Sequence, residues 1–336
     1  MKLVVFERRL APDPRSDPHS MGAAALGFET LEAVTQGQRR LGAWVEAGAH
    51  ADTVVDLNRA LAVKLAGDDA GAPEAEADSL LPADMGPFLR RLPDSLRAAR
   101  SALDFVADAL DRYDAPDLES AGVALPRRAV RMAAPVRRPG KLIGRSRDAD
   151  GGDPALFLIA PSAVSGPEDD VALLDGVPLS FRPEIAAIVG RRARRLAPED
   201  ALACVAGYCA ALTFRAEGPD APAGTVGHSG DGFVPLGPAL VSVDDAPDPH
   251  DLRLELRLSG RRLETIHTKE LAWPLHELVS RASQWMTLEP GDVVLSGAPP
   301  ATGELPTLRD GDVVEVEAER LGRLAVYLRA PYETGV

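Results

Sequence analysis

The chain opens on Lys2-Leu3-Val4-Val5-Phe6, an apolar run of strand length, and runs of similar character recur at 40–46 and 52–57. They predict a small β module. Between the first two runs stands an insertion, 7–38, whose Ala11-Pro12-Asp13-Pro14-Arg15-Ser16-Asp17-Pro18 stretch excludes helix and central strand, because proline lacks the N–H that either ladder needs. It reads as a surface loop. A helix is predicted over 57–66 and another over 94–112, where Leu96, Ala99, Leu103, Val106 and Leu110 recur at three- and four-residue steps after a Pro93-Asp94-Ser95 start signal. The stretch 115–140 is rich in proline, glycine and arginine and reads as an extended connector, with a domain boundary near 135.

Beyond that boundary the pattern turns to strands: 157–160, 185–190, 252–258 and 263–267, the last two joined by a Ser259-Gly260 hairpin turn, then 292–296, 312–318 and 323–328. One helix, 272–285, interrupts them. The predicted class is therefore α+β and β-dominated, with a small N-terminal β-containing domain, 1–134, and a larger C-terminal one, 135–336.

Charge and composition narrow the function classes. The 336 residues carry 37 basic and 51 acidic side chains, a net charge of −14, which disfavours nucleic acid and anionic membranes as partners. No apolar stretch approaches the roughly 20 residues of a membrane helix. Glu7-Arg8-Arg9 ends the first apolar run too early for a signal peptide, so a cytoplasmic chain is expected. Cys204 and Cys209 are five apart, which suits neither a redox pair nor a zinc knuckle, and they read as buried small hydrophobes. GxGxxG after a strand, the P-loop, GxSxG and HExxH are all missing from the sequence. Arginine greatly outnumbers lysine beside abundant alanine, glycine and proline, which suggests a GC-rich bacterial genome.

Five phrases then occur in one order: Arg138-Pro139-Gly140-Lys141-Leu142-Ile143; Pro183-Glu184-Ile185-Ala186-Ala187-Ile188-Val189-Gly190; Val205-Ala206-Gly207-Tyr208; Phe233-Val234-Pro235-Leu236-Gly237-Pro238; and Met286-Thr287-Leu288-Glu289-Pro290-Gly291-Asp292-Val293-Val294-Leu295-Ser296-Gly297. Together they resemble the fumarylacetoacetate hydrolase family, and Arg40-Leu41-Gly42 with Val54-Val55-Asp56-Leu57 resembles its small leading domain. The resemblance implies a rolled mixed β-sheet in the C-terminal domain, a homodimer, and chemistry on enolisable oxo acids. In that family a divalent cation, usually Mg²⁺, sits between an E-x-E pair and a following aspartate.

Carried over residue by residue, the resemblance puts Arg182 and Glu184 at the E-x-E pair and Thr213 at the aspartate. His228 falls at a lysine, Ala298 at a threonine, and Ser146-Arg147-Asp148-Ala149 where a histidine phrase belongs. One carboxylate remains where three are usual, and a guanidinium takes the place of another. The expectation that follows is a site with no metal and no other cofactor. Residues two apart on a strand share a face, so Arg182 with Glu184, and Thr213 with Arg215, are expected to line the cleft. Guanidiniums can hold an enolate but cannot acidify water as a cation does. The expected enzyme is thus metal-independent and non-hydrolytic, performing cyclisation, isomerisation, decarboxylation or C–C rearrangement on an anionic or enol substrate in bacterial biosynthesis.

In that reading Glu184, His228 and Arg182 are the candidate catalytic residues, and Arg215, Thr213, Arg147 and Asp231 bind substrate. Simpler roles exist for each: Arg182 as an ion-pair partner of Glu184, His228 as a solvated loop residue, Asp231 as a brace of its loop. His267 and His276 read as structural, and the 191–195 arginine run as a solvated turn. Two other functions fit the same substitutions: a non-catalytic binding protein, or a C–C hydrolase with Asp148, Glu184, Glu217 and Asp231 as substitute metal ligands.

Overall fold

A computed structural model of the chain describes residues 1–9, 39–46, 48, 50–68, 71–110, 118–119, 121–146, 155–246, 248–299, 303 and 305–330. Most of the 7–38 insertion, Arg147 and Asp148 lie outside the described residues. Two compact units are formed, one by Lys2–Ala133 and the other by Ala134–Val336 with Met1.

In the N-terminal unit, strands β1 (Lys2–Arg8), β2 (Arg40–Val45) and β3 (Thr53–Asp56) fulfil the apolar pattern. Helices α1 (Leu57–Gly67), α2 (Pro73–Leu80), α3 (Met85–Arg90) and α4 (Asp94–Leu110) follow. The connector is not simply extended: β4 (Ala124–Pro126) and β5 (Val130–Ala133) return to the sheet, giving the antiparallel order β4-β3-β2-β1-β5. On α4 the buried stripe is Ser95, Ala99, Ala102, Val106 and Ala109, a slightly different face from the predicted one. Small side chains let the helix approach closely, and Leu96, Leu103 and Leu110 flank the contact half-buried.

The second unit contains β6 (Leu142–Arg145), β7 (Leu156–Ile159), β8 (Val164–Ser165), β9 (Asp170–Ala172), β10 (Leu179–Val189), β11 (Val205–Ala216) and β12 (Val234–Ser242). After them come β13 (Arg253–Leu258), β14 (Arg261–His267), helix α5 (Leu275–Trp285), β15 (Val293–Leu295), β16 (Val313–Ala318) and β17 (Gly322–Arg329). Within this unit β12-β11-β10-β15-β6-β7 lie side by side, β8 runs along β12, and a five-stranded sheet has the order β14-β13-β16-β17-β9. Pairings β15/β6, β12/β8 and β17/β9 are parallel and the others antiparallel, so the sheets are mixed. One cluster of buried residues, including Phe181, Tyr208, Phe214, Phe233, Leu256, Leu278, Val316 and Val326, joins both sheets to α5.

Strands β11 and β12 escape the pattern because they are buried on both faces and show no simple alternation; all nine residues of β12 are buried, two of them prolines. Helix α5 starts three residues later than predicted because Pro274 disfavours helical backbone at Trp273. The expected cysteine role holds: both thiols are buried and free, and burial pushes Cys209 up to about 12.

Candidate active site

Strands β10 and β11 pair with Arg182 opposite Thr213 and Ser180 opposite Arg215. The strand period then sorts their side chains. Phe181, Leu212 and Phe214 face the core, where Phe181 and Phe214 lie with ring centroids 6.3 Å apart. Ser180, Arg182 and Glu184 share the other face with Thr213 and Arg215. Strand β15 accompanies β10 only along Ala186–Ile188, so Pro183, which has no N–H to give a ladder, sits where the strand has lost that neighbour. On that side the segment after β15 lies against Glu184 and Arg182 instead.

Glu184 occupies the inner end of this face and is buried. Thr213 Oγ1 donates to one carboxylate oxygen at 2.8 Å and the Gly297 amide donates to the other at 2.8 Å. Burial raises the pKa of its carboxyl above the usual glutamate value, while those two donors and the charges of Arg145 and Arg182 pull the other way. Arg182 forms its ion pair with Glu264 of β14 at 2.5 Å, rather than with Glu184, and donates to the Pro299 carbonyl at 2.7 Å. Glu264 itself is buried. Arg145, at the end of β6, has a buried Nε with no hydrogen-bond partner among the described residues, and its guanidinium lies 2.6 Å from where a Cβ on Gly297 would stand. Only glycine, here at a φ of +67°, fits that place.

The outer end is wetter. Arg215 and Glu217, both about half exposed, stand 3.8 Å apart, and Ser180 Oγ donates to Glu217 at 2.8 Å. His228 ends a short 3₁₀ turn, Gly224–His228, with its ring 4.8 Å from that of Phe157. Burial, then the Arg215 charge, lower its pKa, with Glu217 opposing, which favours the neutral imidazole. The structure thus groups Arg182, Glu184 and Thr213, and separately Arg215 with His228. Asp231 lies exposed in the turn before β12 and shares no hydrogen bond or ion pair with them. Arg147 and the substitute ligand Asp148 lie outside the described residues. A recess of about 370 Å³ bordered by Arg39, Arg40, Asp78 and Asp84 belongs to the N-terminal unit and contains none of these groups.

Sequence reasoning missed Arg145, Glu264 and the Gly297 amide. Arg145 stands two residues beyond the first of the phrases already singled out and Gly297 ends the last, whereas Glu264 sits in an ordinary strand that offers no signal.

The sequence pattern described as fumarylacetoacetate (FAA) hydrolase C-terminal matches residues 129–329. The chain belongs to this family. An oxaloacetate tautomerase of Bos taurus mitochondria is 33% identical over 217 residues, 59% of this chain and 69% of that protein. Maleylpyruvate hydrolase from Sphingobium sp. SYK-6, solved with manganese(II) and pyruvate, superposes with a TM-score of 0.64 at 25% identity, covering 87% of this chain and 96% of that one. A 5-carboxymethyl-2-hydroxymuconate delta-isomerase from Mycobacterium smegmatis gives 0.56 at 28% identity, with 62% and 84% coverage. Relatives of this family member are therefore enzymes acting on small molecules, and its α+β fold is the family's.

The manganese in the hydrolase complex overturns the expectation, drawn from the substitutions alone, that this chain has neither a metal nor another cofactor. Loss of two carboxylates, at Arg182 and Thr213, does not by itself show that a metal is gone. In the present chain, three or more His, Cys, Asp or Glu side chains converge nowhere among the described residues. Glu184 alone is a partial donor set for Mg²⁺ or Mn²⁺, which take about six oxygen ligands. The described residues do not fit the ion, and no step below passes through one.

Proposed function

We propose that this chain moves a proton on a small enolisable 2-oxo acid or β-dicarbonyl compound, as a tautomerase or isomerase. The observation that carries the reading is Glu184: a buried carboxylate, raised in pKa, held by one hydroxyl and one amide, with two guanidiniums acting on it. Raising the pKa makes the carboxylate a stronger base, so a group so placed can take a proton from carbon and give it back. Its carboxylate takes the proton α to a carbonyl, and the electron pair moves into the enolate oxygen. The protonated carboxyl then returns the proton to oxygen or to a conjugated carbon, and no bond between carbons breaks.

Developing negative charge on the enolate is met by Arg145, whose buried Nε has a donor to give. Arg182 acts through its charge, fixed in place by Glu264 and the Pro299 carbonyl. Arg215 binds a second anionic group of the substrate at the outer end, where neutral His228 can exchange a proton with the carbonyl oxygen. Thr213 fixes Glu184, and a homodimer completes the proposal on the strength of the family resemblance.

Enol decay of oxaloacetate and of other 2-oxo acids, followed by ultraviolet absorbance, tests the activity. Acceleration that disappears in Glu184→Gln is expected. Stoichiometric release of a C–C cleavage product instead would establish the hydrolase alternative. A solution mass near 35.5 kDa by light scattering would remove the dimer.

A further inference from the structure

The N-terminal unit gathers positive charge that its own carboxylates do not neutralise. Asp56 is buried at the junction of β3 and α1, and its carboxylate is already committed. It accepts from Arg40 through both oxygens and from the Arg59 amide at 3.1 Å as the cap of α1. Arg40 is satisfied further by Asn58 at 3.1 Å. The guanidiniums of Arg8 and Arg59 are left over.

These two groups meet at one point. A Cβ on Gly122 would lie 2.0 Å from Arg8 Nη2 and 3.3 Å from Arg59 Nη1, so both guanidiniums press on the same glycine, which holds a φ of +69°. Arg8 Nε and Nη2 are buried, and neither has a hydrogen-bond partner among the described residues. Arg59 stands in the first turn of α1, a turn with no acidic residue, where the helix dipole repels a cation. Two like charges brought together, one with two orphaned buried donors, are an arrangement that a bound anion relieves, because it supplies both acceptors and counter-charge.

We infer that Arg8 and Arg59, converging on Gly122, form an oxyanion site for the carboxylate or phosphate group of a small metabolite, separate from the β10/β11 face. Burial and the charges of Arg59 and Arg40 hold the Arg8 guanidinium below its ordinary range, with Asp56 and Glu119 opposing, which agrees with a site lacking its counterion. The planar guanidinium of Arg8 presents its two free donors side by side, a match for two oxygens of one ligand group.

The test uses the full chain, titrated calorimetrically with inorganic phosphate and, separately, with acetate at constant ionic strength. Saturable binding of either probe, weakened about tenfold or more in Arg8→Met and in Arg59→Gln and kept in Arg9→Gln, is expected from loss of a charge-assisted contact. Preference for phosphate or for acetate then identifies the group. Without ligand, Arg8→Met should melt no lower than the wild type, since it removes a buried charge that has no partner. Should Arg8→Met fold poorly, Arg59→Gln carries the binding arm by itself. Binding unchanged in Arg59→Gln, absence of saturable binding of both probes, or a large fall in melting temperature in Arg8→Met with unaltered binding would each overturn the site.

Discussion

Two buried carboxylates of the C-terminal unit, Glu184 and Asp292, show how similar burial produces different roles. Asp292 is 1% exposed and sits in the most specific of the family phrases. It accepts from the Lys141 ammonium at 2.6 Å, the Lys141 amide at 2.8 Å and the Glu289 amide at 2.8 Å. A Cβ at Gly140 would come within 2.9 Å of it, so the Arg-Pro-Gly-Lys phrase and the Pro-Gly-Asp phrase close on one another and fasten β6 to β15. Its charge has a counter-charge in direct contact. Glu184 has none: its direct partners are a hydroxyl and an amide, and Arg182 gives its ion pair to Glu264. A carboxylate with a contacting counter-charge is a fastening, whereas the proposed function uses the one without such a contact as its proton carrier.

Breaking the fastening should have the largest effect. Asp292→Ala leaves Lys141 without its partner and is expected to destabilise the fold by about 3–5 kcal/mol, the usual cost of opening a buried pair. Denaturant unfolding measures this, and the fraction that remains folded should keep its turnover. A loss of turnover without loss of stability would reverse the roles assigned to the two groups.

Glu184→Gln should do the opposite, lowering kcat by about a hundredfold or more, as loss of a general base does, with no loss of stability at neutral pH. The sign follows from the raised pKa. Below about pH 4.5, the ordinary glutamate value, the group is protonated in both folded and unfolded chains and contributes nothing. As pH rises through the folded value, the native state has to carry a buried charge, so wild type loses stability relative to Glu184→Gln. The difference in melting temperature between the two should be absent below that point and open above it. A difference that grew on acidification would mean a depressed pKa and a structural carboxylate.

A smaller effect is expected from Thr213→Val, which removes the hydroxyl donor from Glu184. Losing a hydrogen bond to a charged group costs about 1.5 kcal/mol, or roughly tenfold in rate near neutral pH, and it should shift the acid limb of the pH profile toward higher pH. The least is expected from Arg215→Gln: the pair with Glu217 is half exposed and 3.8 Å long, so stability should change by less than about 1 kcal/mol. Its mark should be a higher KM for anionic substrates at unchanged kcat, which steady-state kinetics would show.

Local pattern was enough to place most of the strands, the amphipathic helix α4 and the face shared by Arg182, Glu184, Thr213 and Arg215, because side-chain direction on a strand depends on position parity alone. Family phrases read from the sequence also gave the chain's family membership. What remained illegible are contacts between distant parts of the chain. The Gly297 amide reaches Glu184 across 113 positions, and Lys141 reaches Asp292 across 151. Periodicity carries no information about which residue lies opposite at such range. The expectation that Arg182 would neutralise Glu184 considered only neighbours on one strand; the fold brought Glu264 from the other sheet, and that buried acid took the guanidinium. Sequence therefore determined which charges face the site, and tertiary packing decided which of them are cancelled, because a charge removed from water is governed by whatever partner the fold places within a few ångströms of it.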